Sequence, residues 1–217
     1  MLEVNGVNSF YGKAQVLNDL NFTVDRGTVV ALLGRNGAGK TTTMKSIMQL
    51  VRPRQGKIIY QGQDITGWPS HKVARNGLGY VPEERRIFTQ LTVLENLEVG
   101  RQPPRDGCTT WTEDMVFDLF PNLAERRHNR GKALSGGEQQ MLTIARTLMG
   151  NPAFILLDEP SEGIAPVIVE QMARVILQLK AEGLTVLLSE QNLHFAQAVA
   201  DGVVIIEHGT QKFVGTL

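Results

Sequence analysis

A mainly parallel α/β fold is what this 217-residue sequence predicts, and three observations carry the prediction. Short, β-branched apolar runs recur along the chain. Amphipathic helical periods alternate with them. Glycine, at 22 residues, exceeds the roughly 15 that an average usage of about 7% would give.

The runs Val29-Val30-Ala31-Leu32-Leu33, Phe154-Ile155-Leu156-Leu157, Thr185-Val186-Leu187-Leu188 and Val203-Val204-Ile205-Ile206 form one group. Several are apolar on both faces, as strands covered on both sides must be. Helical periods lie between them: Met44, Ile47, Met48 and Val51; Met141, Ile144, Ala145 and Leu148; and Ile168, Met172, Val175, Ile176 and Leu179. Such alternation means a largely parallel sheet. The first segment differs. Leu2-Glu3-Val4-Asn5, Phe22-Thr23-Val24 and Ile58-Ile59-Tyr60 sit beside Gly- and Asn-containing turns, which predicts antiparallel strands. From about 83 to 150 no convincing strand occurs. Pro103-Pro104 and Arg105-Asp106-Gly107 make a polar loop, followed by helix near 113–120 and again near 136–149. This stretch reads as a helical insert between a core of about 1–82 and 151–217, the whole forming one domain. Gly12, Gly56, Gly62 and Gly183 are expected at turns between short elements.

Composition narrows the function. The chain carries 22 basic and 22 acidic side chains, a net charge of zero, which argues against a nucleic-acid binder with a broad basic face. Hydrophobic residues at 42% and charged residues at 20% describe a globular chain. No apolar run of about 18 residues is present to cross a bilayer. Met1-Leu2-Glu3-Val4 lacks the features of a signal peptide, so a cytoplasmic location is expected. Cys108, the single cysteine, fits a reducing compartment.

Gly34-Arg35-Asn36-Gly37-Ala38-Gly39-Lys40-Thr41 matches G-x-x-x-x-G-K-[ST], placed between a buried strand and an amphipathic helix. The glycines let the backbone curl so that successive N–H groups face a phosphate, and the helix N-terminus adds partial positive charge. Lys40 then reaches the β- and γ-phosphates and the Thr41 hydroxyl binds Mg²⁺; Thr42 follows in the first turn. The strand at Phe154–Leu157 runs into Asp158 and Glu159. Two acids ending an apolar strand carry a desolvation cost unless a cation sits there. Asp158 suits the Mg²⁺ shell, and Glu159, one residue on, is expected to point elsewhere and suits polarisation of an attacking water. Leu134-Ser135-Gly136-Gly137-Glu138 opens a helix with exposed N–H groups, a second anion-binding element. Ser135 with Glu138 equally spells an ordinary capping box, and the two readings stand level on these residues alone.

Taken together, these elements resemble the ATP-binding-cassette ATPases: a P-loop, an LSGGE and a Leu157-Asp158-Glu159-Pro160 strand end, in that family's order and spacing across essentially the whole chain. The resemblance implies a P-loop NTPase core with a mainly parallel sheet, an N-terminal antiparallel β subdomain and an α-helical insert. It implies two subunits paired head to tail, each ATP lying between one P-loop and the Ser135, Gly136, Gly137 and Glu138 of the other subunit. Tyr11 matches the aromatic that stacks on adenine, though a half-buried strand aromatic would look the same. The family's P-loop ligands map onto Gly34, Arg35, Asn36, Gly37, Ala38, Gly39, Lys40, Thr41 and Thr42.

Three positions depart from the common pattern. Glu83 stands where Gln is usual, Ala165 where Asp is usual, and Gln191 where the family has a switch histidine. Gln191 can donate an amide N–H to the γ-phosphate but does not titrate near neutrality. Glu83 can contact Mg²⁺ or the water as Gln would, with added negative charge. Ala165 removes an acid that crosses the dimer. The trio, with Glu83-Glu84-Arg85-Arg86-Ile87-Phe88, is similar to the ATPase subunits of branched-chain amino acid importers and their relatives for amides and urea. That subgroup implies transmembrane permease partners docked near Glu83–Phe88, indirectly a periplasmic solute-binding protein, and a peripheral place on the inner face of the cell membrane. Arg85–Phe88 equally fits a solvated turn holding a core aromatic. An exporter ATPase, a soluble cassette ATPase and a P-loop kinase are the rival readings. The chain ends sooner than its apparent relatives, so a further C-terminal segment is expected.

Overall fold

The computed structural model describes residues 1–216, arranged around two sheets. The first is antiparallel, in the order β2-β1-β4-β5, from β1 (Leu2–Tyr11), β2 (Ala14–Val24), β4 (Gln55–Tyr60) and β5 (Gln63–Asp64). The second holds β3 (Val29–Leu33), β6 (Leu78–Val81), β7 (Phe154–Asp158), β8 (Thr185–Glu190), β9 (Gly202–Glu207) and β10 (Thr210–Thr216), in the order β10-β9-β3-β8-β7-β6. All neighbours in it are parallel except β10, which returns antiparallel along β9. The fold class expected from the sequence is the one observed.

Both faces of the second sheet are covered, which explains strands that are apolar on both sides. Val29, Ala31, Ile155, Leu157, Val186 and Leu188 face a helical layer, while Val30, Leu32, Phe154, Leu156 and Leu187 face the antiparallel sheet. The helical layer comprises α3 (Val93–Gly100), α4 (Glu113–Leu119), α5 (Pro121–Glu125), α6 (Gly136–Leu148), α7 (Pro166–Ala181) and α8 (Leu193–Val199). Between the two sheets lies α1 (Lys40–Ile47), which buries Met44 and Ile47; α2 (Ser70–Arg75) leads into β6. The α1 helix is shorter than its apolar period suggested, because the chain turns left-handed at Gln49 (φ 59°), leaving Val51 outside. Between 83 and 150 the described residues form helices and one isolated bridge, Thr92 to Arg130. The sequence reading had passed over α3, although Thr92 and Glu95 form a complete capping box at its start.

The glycine expectation needs one correction. Gly12 and Gly62 occupy hairpin turns and Gly183 follows the end of α7, but Gly56 lies inside β4. There it faces Gly6 of β1, both at positive φ (86° and 62°), where the strand register shifts between Asn5 and Asn8. A Cβ on Gly56 would overlap the Gly6 carbonyl, so glycine is required by close approach of two backbones, a bulge and not a turn.

The β9–β10 hairpin turns on His208 and Gly209, both left-handed (φ 49° and 75°), as a two-residue type I′ connection requires. Its tip is stitched into the rest of the molecule. The Gly209 N–H donates to the Ala38 carbonyl at 2.8 Å, and the Asn18 N–H donates to the Gly209 carbonyl at 2.9 Å. A Cβ at Gly209 would overlap the Val16 carbonyl oxygen. Gly209→Ala combines that overlap with a left-handed backbone and is expected to destabilise the protein by about 3 kcal/mol, read as a lower urea midpoint at unchanged slope. An unchanged midpoint would show that the tip is not wedged.

Candidate functional site

The carboxyl ends of β3, β8, β7 and β6 lie side by side, the edge at which open α/β sheets present their ligands. The loop after β3 carries Gly34–Gly39, with Gly39 left-handed at φ 110°, and leads directly into α1. Lys40 folds back under this loop. Its Nζ donates to the carbonyls of Gly34 at 2.7 Å and Arg35 at 3.1 Å and pairs with Glu159 Oε1 at 3.1 Å. Both partners are almost completely buried, at 3% and 6% side-chain exposure. A cleft of about 340 Å³ opens beside them, lined by Asn36, Gly37, Lys40, Thr41, Glu83 and Glu159 among others. The chain thus brings together at one place residues that the sequence scatters over more than a hundred positions.

Asp158 ends β7 fully buried, surrounded by hydroxyls. Ser189 donates to it at 2.7 Å, Thr41 at 3.1 Å and Tyr80 at 3.1 Å. Burial pushes the Asp158 carboxyl above the usual range, against the pull of these three donors. Glu159 stands in the left-handed region at φ 48°, and its N–H is held by the Ser189 carbonyl at 3.1 Å and hydroxyl at 3.0 Å. Successive strand residues would point to opposite faces. The left-handed turn instead aims both acids at the P-loop, Asp158 to Thr41 and Glu159 to Lys40. Burial raises the Glu159 carboxyl, but hydrogen bonds to Glu162, Gln191 and Lys40 and the lysine charge outweigh it and hold it below the usual range. Gln191 spans the opening: its Nε2 donates to Glu159 Oε2 at 2.9 Å and to Asn36 Oδ1 at 2.7 Å. Glu83 lines the cleft, its carboxyl raised by partial burial and by the charges of Glu159, Asp158 and Glu84.

Of the other candidates, Thr42 lies buried in the first turn of α1, Ala38 is buried, and Arg35 is exposed at the loop tip. Tyr11 is half exposed at the β1–β2 turn. Ser135, Gly136, Gly137 and Glu138 open α6, away from the lining of the P-loop cleft. Here the capping box is real: the Glu138 N–H donates to Ser135 Oγ at 3.3 Å and the Ser135 N–H to Glu138 Oε2 at 2.7 Å. Arg126 pairs with Glu138 at 2.7 Å. Sequence reasoning missed Tyr80, Ser189, Glu190, Glu162 and the packing of Arg85. The Arg85 guanidinium lies against Gly136, where a Cβ would have to displace it, and donates to the carbonyls of Glu162 and Gly163 at 3.3 Å each.

Comparison with known proteins places the chain in a family. Residues 17–162 match the family described as ABC transporter. The chain is 43% identical over 209 residues to the high-affinity branched-chain amino acid transport ATP-binding protein BraG of Pseudomonas aeruginosa, covering 96% of this chain and 90% of that one. It is 38% identical over 218 residues to the lipopolysaccharide export system ATP-binding protein LptB of Haemophilus influenzae, covering 100% and 90%. A solved structure of the ATP-binding subunit of an ABC transporter superposes with a TM-score of 0.83 at 31% identity, covering 100% of this chain and 90% of that chain.

Glu162 lies three residues after Glu159 on the same loop. Its hydrogen bond to Glu159, then burial and the charges of Glu159, Glu83 and Glu190, push its carboxyl up to about 7. An acid raised by folding holds more protons in the native state, so its share of stability is full at low pH and is lost as pH climbs from about 4.5 to about 7. Glu162→Gln is expected to make the denaturant midpoint fall less steeply across that window. Superimposable profiles for the two proteins would contradict the assignment.

Proposed function

The chain belongs to the ABC transporter family and is an ATP-hydrolysing subunit of a transporter; on that premise we propose that it energises import of branched-chain or related hydrophobic amino acids. The observation that carries the import reading is the 43% identity to BraG across 96% of the chain, alongside Glu83, Ala165 and Gln191 at the three departing positions. The likeness to LptB supports a second reading, an export ATPase, and both readings share the chemistry below.

In this reading the phosphates of ATP lie on the N–H groups of Gly37–Thr41 and on the N-terminus of α1. Thr41 and Asp158, with Glu83 nearby, would hold Mg²⁺, which takes few protein oxygens and completes its shell with phosphate and water. A buried carboxylate with only hydroxyl partners is the donor set such a cation neutralises. When bound, the ion screens charge on the phosphates. The chain's own part begins at Lys40. An arriving γ-phosphate competes with Glu159 for the lysine, and Gln191 moves its amide from Asn36 and Glu159 toward the phosphate. Released from Lys40 and Gln191, Glu159 loses the interactions that hold its carboxyl low and becomes a stronger base for the attacking water.

Two partners complete the proposal. A second ATPase subunit would supply its Ser135-Gly136-Gly137 to the nucleotide held on this P-loop, since none of those residues lines the cleft of their own chain. Transmembrane permease subunits would dock in a groove of about 590 Å³ that has apolar Met48, Leu50 and Val99 beside basic His71, Arg75 and Arg146. The groove adjoins the segment around Phe88, over whose ring the Arg146 guanidinium sits at 5.1 Å. No helix among the described residues is long and apolar enough to cross a membrane. The subunit would therefore sit on the inner membrane face through these contacts, served by a periplasmic solute-binding protein.

Glu159→Gln is expected to bind ATP as the native chain does, to accumulate as a dimer in gel filtration with ATP, and to turn over at least about 100-fold more slowly. Native turnover in this variant would remove Glu159 as the base. A pull-down from native membranes is expected to recover permease subunits and a solute-binding protein with affinity for branched-chain amino acids. Recovery of a lipopolysaccharide-export assembly would favour the second reading instead.

A further inference from the structure

Glu190 ends β8 with 2% of its surface exposed, and no salt bridge among the described residues involves it. Removing a carboxylate from water without a cation is costly unless strong donors face it. Here the donors are backbone N–H groups, joined by the Ser161 hydroxyl. Glu190 Oε1 accepts from the Ser161 N–H at 3.1 Å; Oε2 accepts from the N–H groups of Gln191 at 3.2 Å and Asn192 at 3.3 Å. These amides belong to two different loops. Ser161 follows Glu159 on the loop from β7 to α7, and Gln191 begins the loop from β8 to α8. Glu190 joins them side to side.

The residues on either side of Glu190 reach the same loop. Ser189 holds the Asp158 carboxylate and the Glu159 N–H, and Gln191 holds the Glu159 side chain. Three consecutive residues of β8 and its exit therefore grip three points of the segment 158–161. Just beyond that segment the loop is held again, by Arg85 at the Glu162 and Gly163 carbonyls. Among the described residues no other hydrogen bond ties the backbone N–H of Ser161 to the switch position.

We propose that Glu190 is a positioning residue: it fastens the loop that starts at Glu159 and runs through Ser161 to Ala165 onto the backbone of Gln191, so that displacement of Gln191 by nucleotide is felt along that loop. The inference rests on the reading of Glu159 and Gln191 given above. It has a geometric consequence. With Ala165 in place of an acid, the loop lacks a charged group of its own at that position, and the Glu190 link is a backbone-to-backbone connection that moves it with the switch.

The test is Glu190→Gln, which keeps the size but turns one acceptor oxygen into a donor facing an amide donor. The expected result on the purified full chain is kcat for ATP reduced about tenfold, with ADP affinity kept within about twofold. Amide hydrogen exchange in a peptide spanning 160–165 should quicken several-fold, while the peptide carrying Gly34–Thr41 is unchanged. Glu190→Asp, which retains both acceptors on a shorter stem, should restore part of kcat and of the protection; it also serves if the glutamine variant folds poorly. Full kcat and unchanged exchange in Glu190→Gln would overturn the proposal. So would a parallel loss of ADP affinity and of protection across all peptides, because that marks a general fold role. The exchange arm needs no turnover. A native chain that failed to hydrolyse ATP would overturn the reading of the site, and the Glu190 link would still be decided by exchange.

Discussion

The pairing of Lys40 with Glu159, 3.1 Å apart and shielded from water, sets the terms for everything around it. A buried ion pair is not intrinsically stabilising, because desolvation of both ions offsets much of their attraction. Further hydrogen bonds support it: two carbonyls accept from the lysine, an amide donates to the glutamate, and three hydroxyls donate to the neighbouring Asp158. Both charges of the pair line the cleft beside the Gly34–Gly39 loop.

Strand order makes this network possible. β8 lies between β3 and β7, so the end of β8 separates the phosphate loop from the acidic strand end. Ser189 touches the acids on one side, and Gln191 bridges to Asn36 on the other. Neither residue has any sequence proximity to the groups it orients. The full cover of the sheet on both faces keeps the strand ends in register, and this rigidity lets hydroxyls and amides hold charges within hydrogen-bond distance.

What the sequence disclosed and what it hid follow one physical division. The P-loop, the Asp158-Glu159 pair and the Ser135–Glu138 cluster are contiguous, and each carries its chemistry in adjacent residues. The parallel sheet was visible because strands covered on both faces are apolar throughout. Tyr80, Ser189 and Glu190 were invisible because their roles arise from which strands are neighbours, and a run of apolar residues does not encode its neighbours. The edge strand β10 was overlooked because its residues are mostly exposed and lack the apolar signal. Gly56 was placed at a turn on composition alone; its requirement comes from Gly6 on another strand. The departure of Glu159 from simple strand alternation likewise depends on one backbone angle.

The position of β3 has a bearing on how the chain is made. β3 stands centrally, and both of its neighbours come from the far end of the sequence: Val30 is in register with Leu187 on one side and Gly202 on the other. The phosphate loop therefore leaves the ribosome long before the strands that flank it, and the hairpin tip at Gly209 that braces it emerges later still. Loop-closure entropy must be met over more than 150 residues before β3 gains both of its neighbours. The walls of the Gly34–Gly39 loop are therefore completed only once β8 and β9 have joined β3 in the sheet.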